Sequence, residues 1–185
     1  LEVIFLEKEL IKTMSENKKL KSLIEKLSSG SDSTVIDAVN ELREHGGEQS
    51  ITPIIETLVN HPSERVKSEI IDFLFDLNSE DALKPLIVAI ADKRNSEYKN
   101  TLISALWHSS LDASDHLTFL VEQALTGDYL TCLEVLTVVE NLNGPFDNAE
   151  LENLIDNINE KKRKNPETTD MLEQIESVLK NFLLD

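Results

Sequence analysis

What this chain lacks narrows it quickly. Cys132 is its only cysteine, which excludes an intramolecular disulfide and any multi-cysteine metal site. A lone thiol fits a reducing compartment, and a cytoplasmic location is expected. Glycine and proline number five each, so few positions interrupt a helix, and the abundant Leu, Ile, Glu, Asp and Lys favour one. No run approaches the ~18–20 uninterrupted apolar residues of a membrane span. The opening LEVIFLEKEL is acidic and has neither the basic start nor the cleavage site of a signal peptide. Met14-Ser15-Glu16-Asn17-Lys18-Lys19 has the form of a natural start, which would make residues 1–13 an extension.

Positive charge is also scarce. The formal net charge is −17, and it is unevenly spread. Residues 28–160 carry seven basic against 25 acidic side chains, whereas the segments on either side are close to neutral. Phosphate binding needs clustered cations, so no nucleic-acid partner is expected. The basic run Lys161-Lys162-Arg163-Lys164 follows an acidic helix, where cations complement the helix dipole. Net charge of this size serves solubility, and it also suits a basic protein partner.

What the chain does have is a repeat. Ile51-x-x-Ile54-Ile55 recurs as Leu83-x-x-Leu86-Ile87, Leu117-x-x-Leu120-Val121 and Leu151-x-x-Leu154-Ile155, at steps of 32, 34 and 34 residues. Between these lie Ala38-Val39-x-x-Leu42, Ile70-Ile71-x-x-Leu74, Leu102-Ile103-x-x-Leu106 and Val135-Leu136-x-x-Val139, at steps of 32, 32 and 33. Both spacings put apolar side chains on one face of a helix. Two amphipathic helices per period predict an all-α fold, an α-solenoid of about four to five antiparallel hairpins.

The first hairpin is predicted over Thr34–His45 and Ser50–Asn60, joined at Gly46-Gly47, where glycine tolerates the left-handed backbone of a helix end. The second runs from Ser63 to Leu77 and restarts after Ser79, which can cap the next helix. Pro53 and Pro85 fall at one repeat position, near the start of a second helix, where a missing amide is tolerated. Ser96–Ser109 with Asp115–Leu125, and Asp128–Leu142 with Asn148–Glu160, complete four hairpins over residues 33–160. Leu10-Ile11-x-x-Met14 and Leu20-x-x-Leu23-Ile24 repeat both patterns at closer spacing, so residues 1–28 read as an atypical N-terminal helical unit. Residues 165–185, with Leu172, Ile175, Val178, Leu179 and Phe182, read as a C-terminal capping helix; one continuous domain is expected.

The stretch Ser63-Glu64-Arg65-Val66-x-x-x-Ile70-Ile71-x-x-Leu74-x-x-Leu77-Asn78-Ser79-Glu80-Asp81-Ala82-Leu83-Lys84-Pro85-Leu86-Ile87 resembles the HEAT repeat. It is most similar to the short bacterial type also found in phycobiliprotein lyases. The resemblance covers about residues 33–160 and implies a curved superhelix whose second helices line an inner face. It implies protein binding or scaffolding, and no chemistry of its own.

Candidate site residues follow from the repeat. Glu56, Glu122 and Asp156 occupy equivalent positions on second helices, one step beyond the buried stripe, with Val88 as the fourth equivalent. Glu152 stands at a neighbouring equivalent position, with Thr52, Lys84 and Thr118. Aligned by stacking, these carboxylates would form an interrupted acidic column for a basic peptide or helix; an ordinary solvated face is the plainer use of them. Phe75 and Trp107 also coincide when repeats are overlaid, beside Arg43 and roughly Glu140. They suit either exposed aromatic anchors or wedges between hairpins.

No metal site or cofactor is expected. His45, His61, His108 and His116 lack ligand spacing, and only His108 and His116, flanking a turn with Asp112 and Asp115, could meet an adventitious ion. No nucleophile elbow, phosphate loop or dinucleotide fingerprint is present. The chain is therefore expected to be a non-catalytic, monomeric protein-binding or scaffold module. The alternatives are a structural subunit of a larger assembly, or an enzyme like the HEAT-type DNA glycosylases or lyases.

Overall fold

A computed structural model describes the backbone of residues 2–109, 111–164 and 166–184, and the side chains of residues 13–109, 111–164 and 167–184. The fold is all-α, with no strand among the described residues. It divides into two compact units, Leu1–Ala89 and Ile90–Asp185.

The first unit contains α1 (Glu2–Lys26), α2 (Asp32–His45), α3 (Glu48–Asn60), α4 (Glu64–Phe75) and most of α5 (Leu83–Ala91). Both patterns of the leading segment lie on one uninterrupted helix, not on a hairpin, because no glycine, proline or other breaker separates them. The side chains of Leu10 and Ile11 fall outside the described residues. α1 packs on α2, α2 on α4, and α3 on α4. Val35, Ala38, Val39, Leu42, Ile54, Leu58, Val66, Ile70 and Leu74 fill the interior between them.

The second unit contains α6 (Lys99–His108), α7 (Leu117–Thr126), α8 (Tyr129–Val139), α9 (Asn148–Lys164) and α10 (Thr169–Phe182). First helices stack as α6, α8, α10, second helices as α7 and α9, and α7 packs on α8. These are the layers of an α-solenoid built from helical hairpins. α10 covers both α8 and α9. It buries Met171, Leu172, Ile175, Glu176 and Leu179, and leaves Glu173, Gln174, Ser177, Lys180 and Asn181 exposed.

Side-chain bonds carry the same period as the hydrophobic stripes. Ser63 on the threshold of α4 donates to Asp32 at the start of α2, 31 residues back. Thr131 on α8 bonds Asn100 on α6 at 2.9 Å, again 31 apart. Near the other end of its helix, Arg43 reaches from α2 to the Asp76 carboxylate and to the Asp72 carbonyl at 3.4 Å, its guanidinium 5.6 Å from the Phe73 ring. One repeat is thus tied to the next at both ends of its first helix.

Three details differ from the sequence reading. Ser79 makes no side-chain cap; its carbonyl accepts from Ala82 N–H at 2.9 Å instead, opening a 3₁₀ turn over Glu80–Ala82. Similar turns at Lys93–Tyr98 and Ser114–His116 precede α6 and α7. α3 starts at Glu48, so Pro53 lies inside the helix in its second turn, one turn deeper than expected. The exposed Gln49 carbonyl thereby loses its helical donor to the proline ring. Finally, the two glycines between α2 and α3 do different work. Gly47 has φ 57°, but Gly46 is right-handed, and its role is steric. A Cβ on Gly46 would come within 2.4 Å of Ser50 Oγ and 2.6 Å of the Leu42 carbonyl oxygen. Gly46→Ala is expected to cost about 1–2 kcal/mol, because backbone must move to admit the methyl. A thermal melt unchanged from wild type would contradict that packing.

Candidate functional site

The expected site residues divide between the two units. In the first, Glu56 is exposed on α3 and lines a groove of about 450 Å³ between α1 and α3. Ile24, Leu27 and Pro53 supply apolar surface there, and Asn60 and His61 lie near its end. The groove exists because α1 packs mainly on α2 and only lightly on α3. Local bonds set its polar edge. Thr57 Oγ1 donates to the Pro53 carbonyl at 2.8 Å, and Asn60 Nδ2 to the Glu56 carbonyl at 2.7 Å. His61 Nδ1 accepts from Ser63 N–H at 3.2 Å, which fixes the ring at the α3–α4 turn. The Glu56 carboxylate itself faces solvent. Lys84 and Val88 are exposed on α5, Val88 by 62%.

In the second unit, Glu122 is exposed on α7, and Glu152 and Asp156 are exposed on α9, the helix packed beside it. Thr118 on α7 donates to the Glu150 carboxylate on α9, so the start of α9 is drawn to the start of α7 and adds a further acid there. Glu122, Glu150, Glu152 and Asp156 are thus four exposed carboxylates on two adjacent helices. Among the described residues, no three His, Cys, Asp or Glu side chains come together as metal ligands.

Phe75 is half-buried on α4, and Trp107 is 37% exposed on α6. The indole Nε1 donates to Glu134 Oε2 on α8 at 2.8 Å, and the ring stacks on His108 with centroids 3.7 Å apart. Trp107 therefore ties α6 to α8 as Arg43, at the same repeat position, ties α2 to α4. Asp112, considered with His108 in the sequence, bonds Ser114 instead.

Cys132 is fully buried on α8, where its Sγ contacts the Ala124 carbonyl oxygen at 3.2 Å. Burial first, and then the Asp128 charge, push the thiol up to about 11, which leaves it protonated and inert at neutral pH. Asp128 caps α8 by accepting from Thr131 N–H at 2.8 Å; that backbone bond and the Thr131 hydroxyl hold its carboxyl below the usual aspartate range. No helix among the described residues is long and apolar enough to cross a membrane.

Sequence reasoning passed over one feature, an apolar cluster on the outer side of α8. Tyr129, Leu130 and Leu133 are exposed by 48%, 56% and 38%. The signal was available: Thr131, Cys132, Val135 and Leu136 form the inward stripe, so Leu130 and Leu133 fall outside it.

Residues 20–107 match the family model described as HEAT repeats. No curated protein and no solved structure matches the chain. The match starts in the second half of α1 and ends at Trp107, so it takes in α2 to α5 and most of α6. The stacked hairpins and the side-chain bonds spanning one repeat agree with that match; over these residues the chain is similar to HEAT repeats.

Proposed function

We propose that this protein is a non-catalytic interaction module in which the second helices of each unit present acidic faces to basic protein segments. The observation that carries this reading is the exposure of carboxylates at repeat-equivalent positions: Glu56 on α3, Glu122 on α7, and Asp156 with Glu152 on α9. HEAT repeats serve protein interaction and scaffolding in general, and they do so with preformed surfaces that need little ordering on binding. In the first unit, Glu56 sits over apolar groove residues, so a lysine or arginine there could pair with the acid while its stem lies on Ile24 and Pro53. In the second, Glu122, Glu152 and Asp156 offer charge on two adjacent helices. The lone buried thiol is in keeping with a cytoplasmic setting.

Charge reversal tests it. Proteins captured from the source organism's lysate should be predominantly basic, and capture should weaken as salt rises. Glu56→Lys, and separately Glu122→Lys with Asp156→Lys, should each reduce affinity for the captured partner about tenfold or more, which is about 1.4 kcal/mol. Equal affinity in all three proteins would discard the acidic-face reading.

A further inference from the structure

Seven large apolar side chains are notably exposed among the described residues, and four of them fall together on the first helices of the second unit. Tyr129, Leu130 and Leu133 lie on α8. Trp107 joins them from α6, because its indole is bonded to Glu134, and Glu134 stands one turn above Leu130 and next to Leu133. The remaining sides of α8 are occupied: α6 and α10 flank it, and α7 covers its inward face. An aromatic–aliphatic cluster left in water at this density is unusual for a solvated helix face, and Trp, Tyr and Leu around a hydrogen-bonded acid make the kind of centre that carries binding energy.

We infer that the outer face of α8, with Trp107, is a docking surface for a basic amphipathic helix of a partner protein. Three observations select that occupant. First, no basic residue lies from Asp128 to Asn141, while Glu134 on α8 and Glu140 just beyond it fall on either side of the Leu130–Leu133 row; Asp128, with Lys99 of α6 beside it, caps the helix and is not part of that rim. A partner with lysine or arginine on both sides of an aliphatic row is complementary to that pattern. Second, the face is helical and offers no unpaired backbone groups. An extended peptide laid across it would leave its own amides unsatisfied, whereas a helix arrives with its backbone bonds made. Leu130, Leu133 and Thr137 form a ridge that another helix can interleave. Third, a second copy of this chain would bring a net charge of −17 to an acidic rim, so self-association is opposed. This surface belongs to first helices, and it stands independently of the acidic faces of α3, α7 and α9.

The test uses the full chain and a defined probe, an 18-residue peptide of leucine and lysine with leucines at i, i+3, i+4 and i+7. Two controls have the same leucines with glutamate in place of lysine, and the same composition with the leucine row scrambled. Trp107 is the only tryptophan, so its emission reports this face alone. At physiological salt, where the Debye length is about 8 Å, the leucine–lysine helix should bind saturably and shift the emission to the blue. Both controls should bind at least about tenfold more weakly. Leu130→Ser with Leu133→Ser, both at exposed positions, should weaken binding of the probe at least about tenfold, and Leu130→Lys should do the same by repulsion. Glu56→Lys and Glu122→Lys with Asp156→Lys should change it by less than about twofold. The inference fails if the α8 variants bind as wild type does, if the emission does not move, or if the unmodified chain self-associates through this face in sedimentation. If the second-helix reversals abolish binding while the α8 variants do not, the acidic-face reading stands and this one falls.

Discussion

Ile54→Ala, Leu86→Ala and Leu120→Ala should each cost about 3–4 kcal/mol in urea unfolding of the full chain, and the three values should agree within about 1 kcal/mol. They occupy one repeat position, on α3, α5 and α7, and each is fully buried. Truncating a leucine or isoleucine there removes the transfer energy of the lost carbons and leaves a hole that helices on both sides hold open. Two residues further along, Glu56→Ala, Val88→Ala and Glu122→Ala should each change stability by no more than about 0.5 kcal/mol, because these side chains face water. The contrast between positions two apart is what an amphipathic second helix demands. A cost below about 1 kcal/mol at Ile54 or Leu120 would mean that these residues do not share the interior of a stacked hairpin.

Glu176→Ala should cost about 2–3 kcal/mol and loosen α10. Glu176 points inward from α10 and is only 7% exposed. It receives Lys162 Nζ of α9 at 2.6 Å and Lys180 Nζ at 2.5 Å, with Asn159 Nδ2 at 3.5 Å. Removing the carboxylate leaves Lys162, whose side chain is 18% exposed, with only the longer pairing to Glu173 at 3.7 Å. Breaking a wholly buried pair costs about 3–5 kcal/mol, and an exposed one about 0–1. Lys180 is open to water, so this network falls between the two.

The same network sets a pH dependence. Burial alone would raise the Glu176 carboxyl, but hydrogen bonds and charge from Lys162 and Lys180 outweigh it and hold the group below the ordinary glutamate range. The folded chain therefore binds this proton less readily than the unfolded chain does. Its stabilisation is complete above the ordinary glutamate value and is lost as pH falls through the lower folded one. Lys162 is raised, chiefly by its hydrogen bond to Glu176, so its share is lost only at alkaline pH. Glu176→Gln should melt earlier than wild type at neutral pH, and the gap should narrow as pH falls from about 6 to about 3. A gap that stays constant across this range would show that the carboxylate's charge contributes nothing to packing α10 on α9.

The repeat and its buried stripes were open to reading from sequence, because an aliphatic residue at Ile54, Leu86 or Leu120 has one role on an amphipathic helix. The exposure of Glu56, Glu122, Glu152 and Asp156 follows from the same periodicity. Other features depend on what lies across the chain in space. Gly46 looked like a left-handed helix end until the Leu42 carbonyl and Ser50 filled the space beside its Cα. Ser79 had the chemistry of a cap, but the chain there closes a 3₁₀ turn with its backbone. The run at 161–164 read as helix-end charge, although Lys162 is engaged by a carboxylate fourteen residues away. That partner had a signal, a glutamate next to Ile175 and four residues beyond Leu172 within an apolar stripe, with Lys180 one turn on. Arg43 and Trp107 coincide in the repeat, yet only coordinates reveal that a cation and an indole serve one purpose there.

The outer side of α10 has a bearing on assembly. A surface that packs there takes water from Glu173, Gln174, Lys180 and Asn181, and each of them needs a polar partner in exchange. Whatever covers this face has to be polar and complementary, in contrast to the aliphatic surfaces that join the layers within the unit.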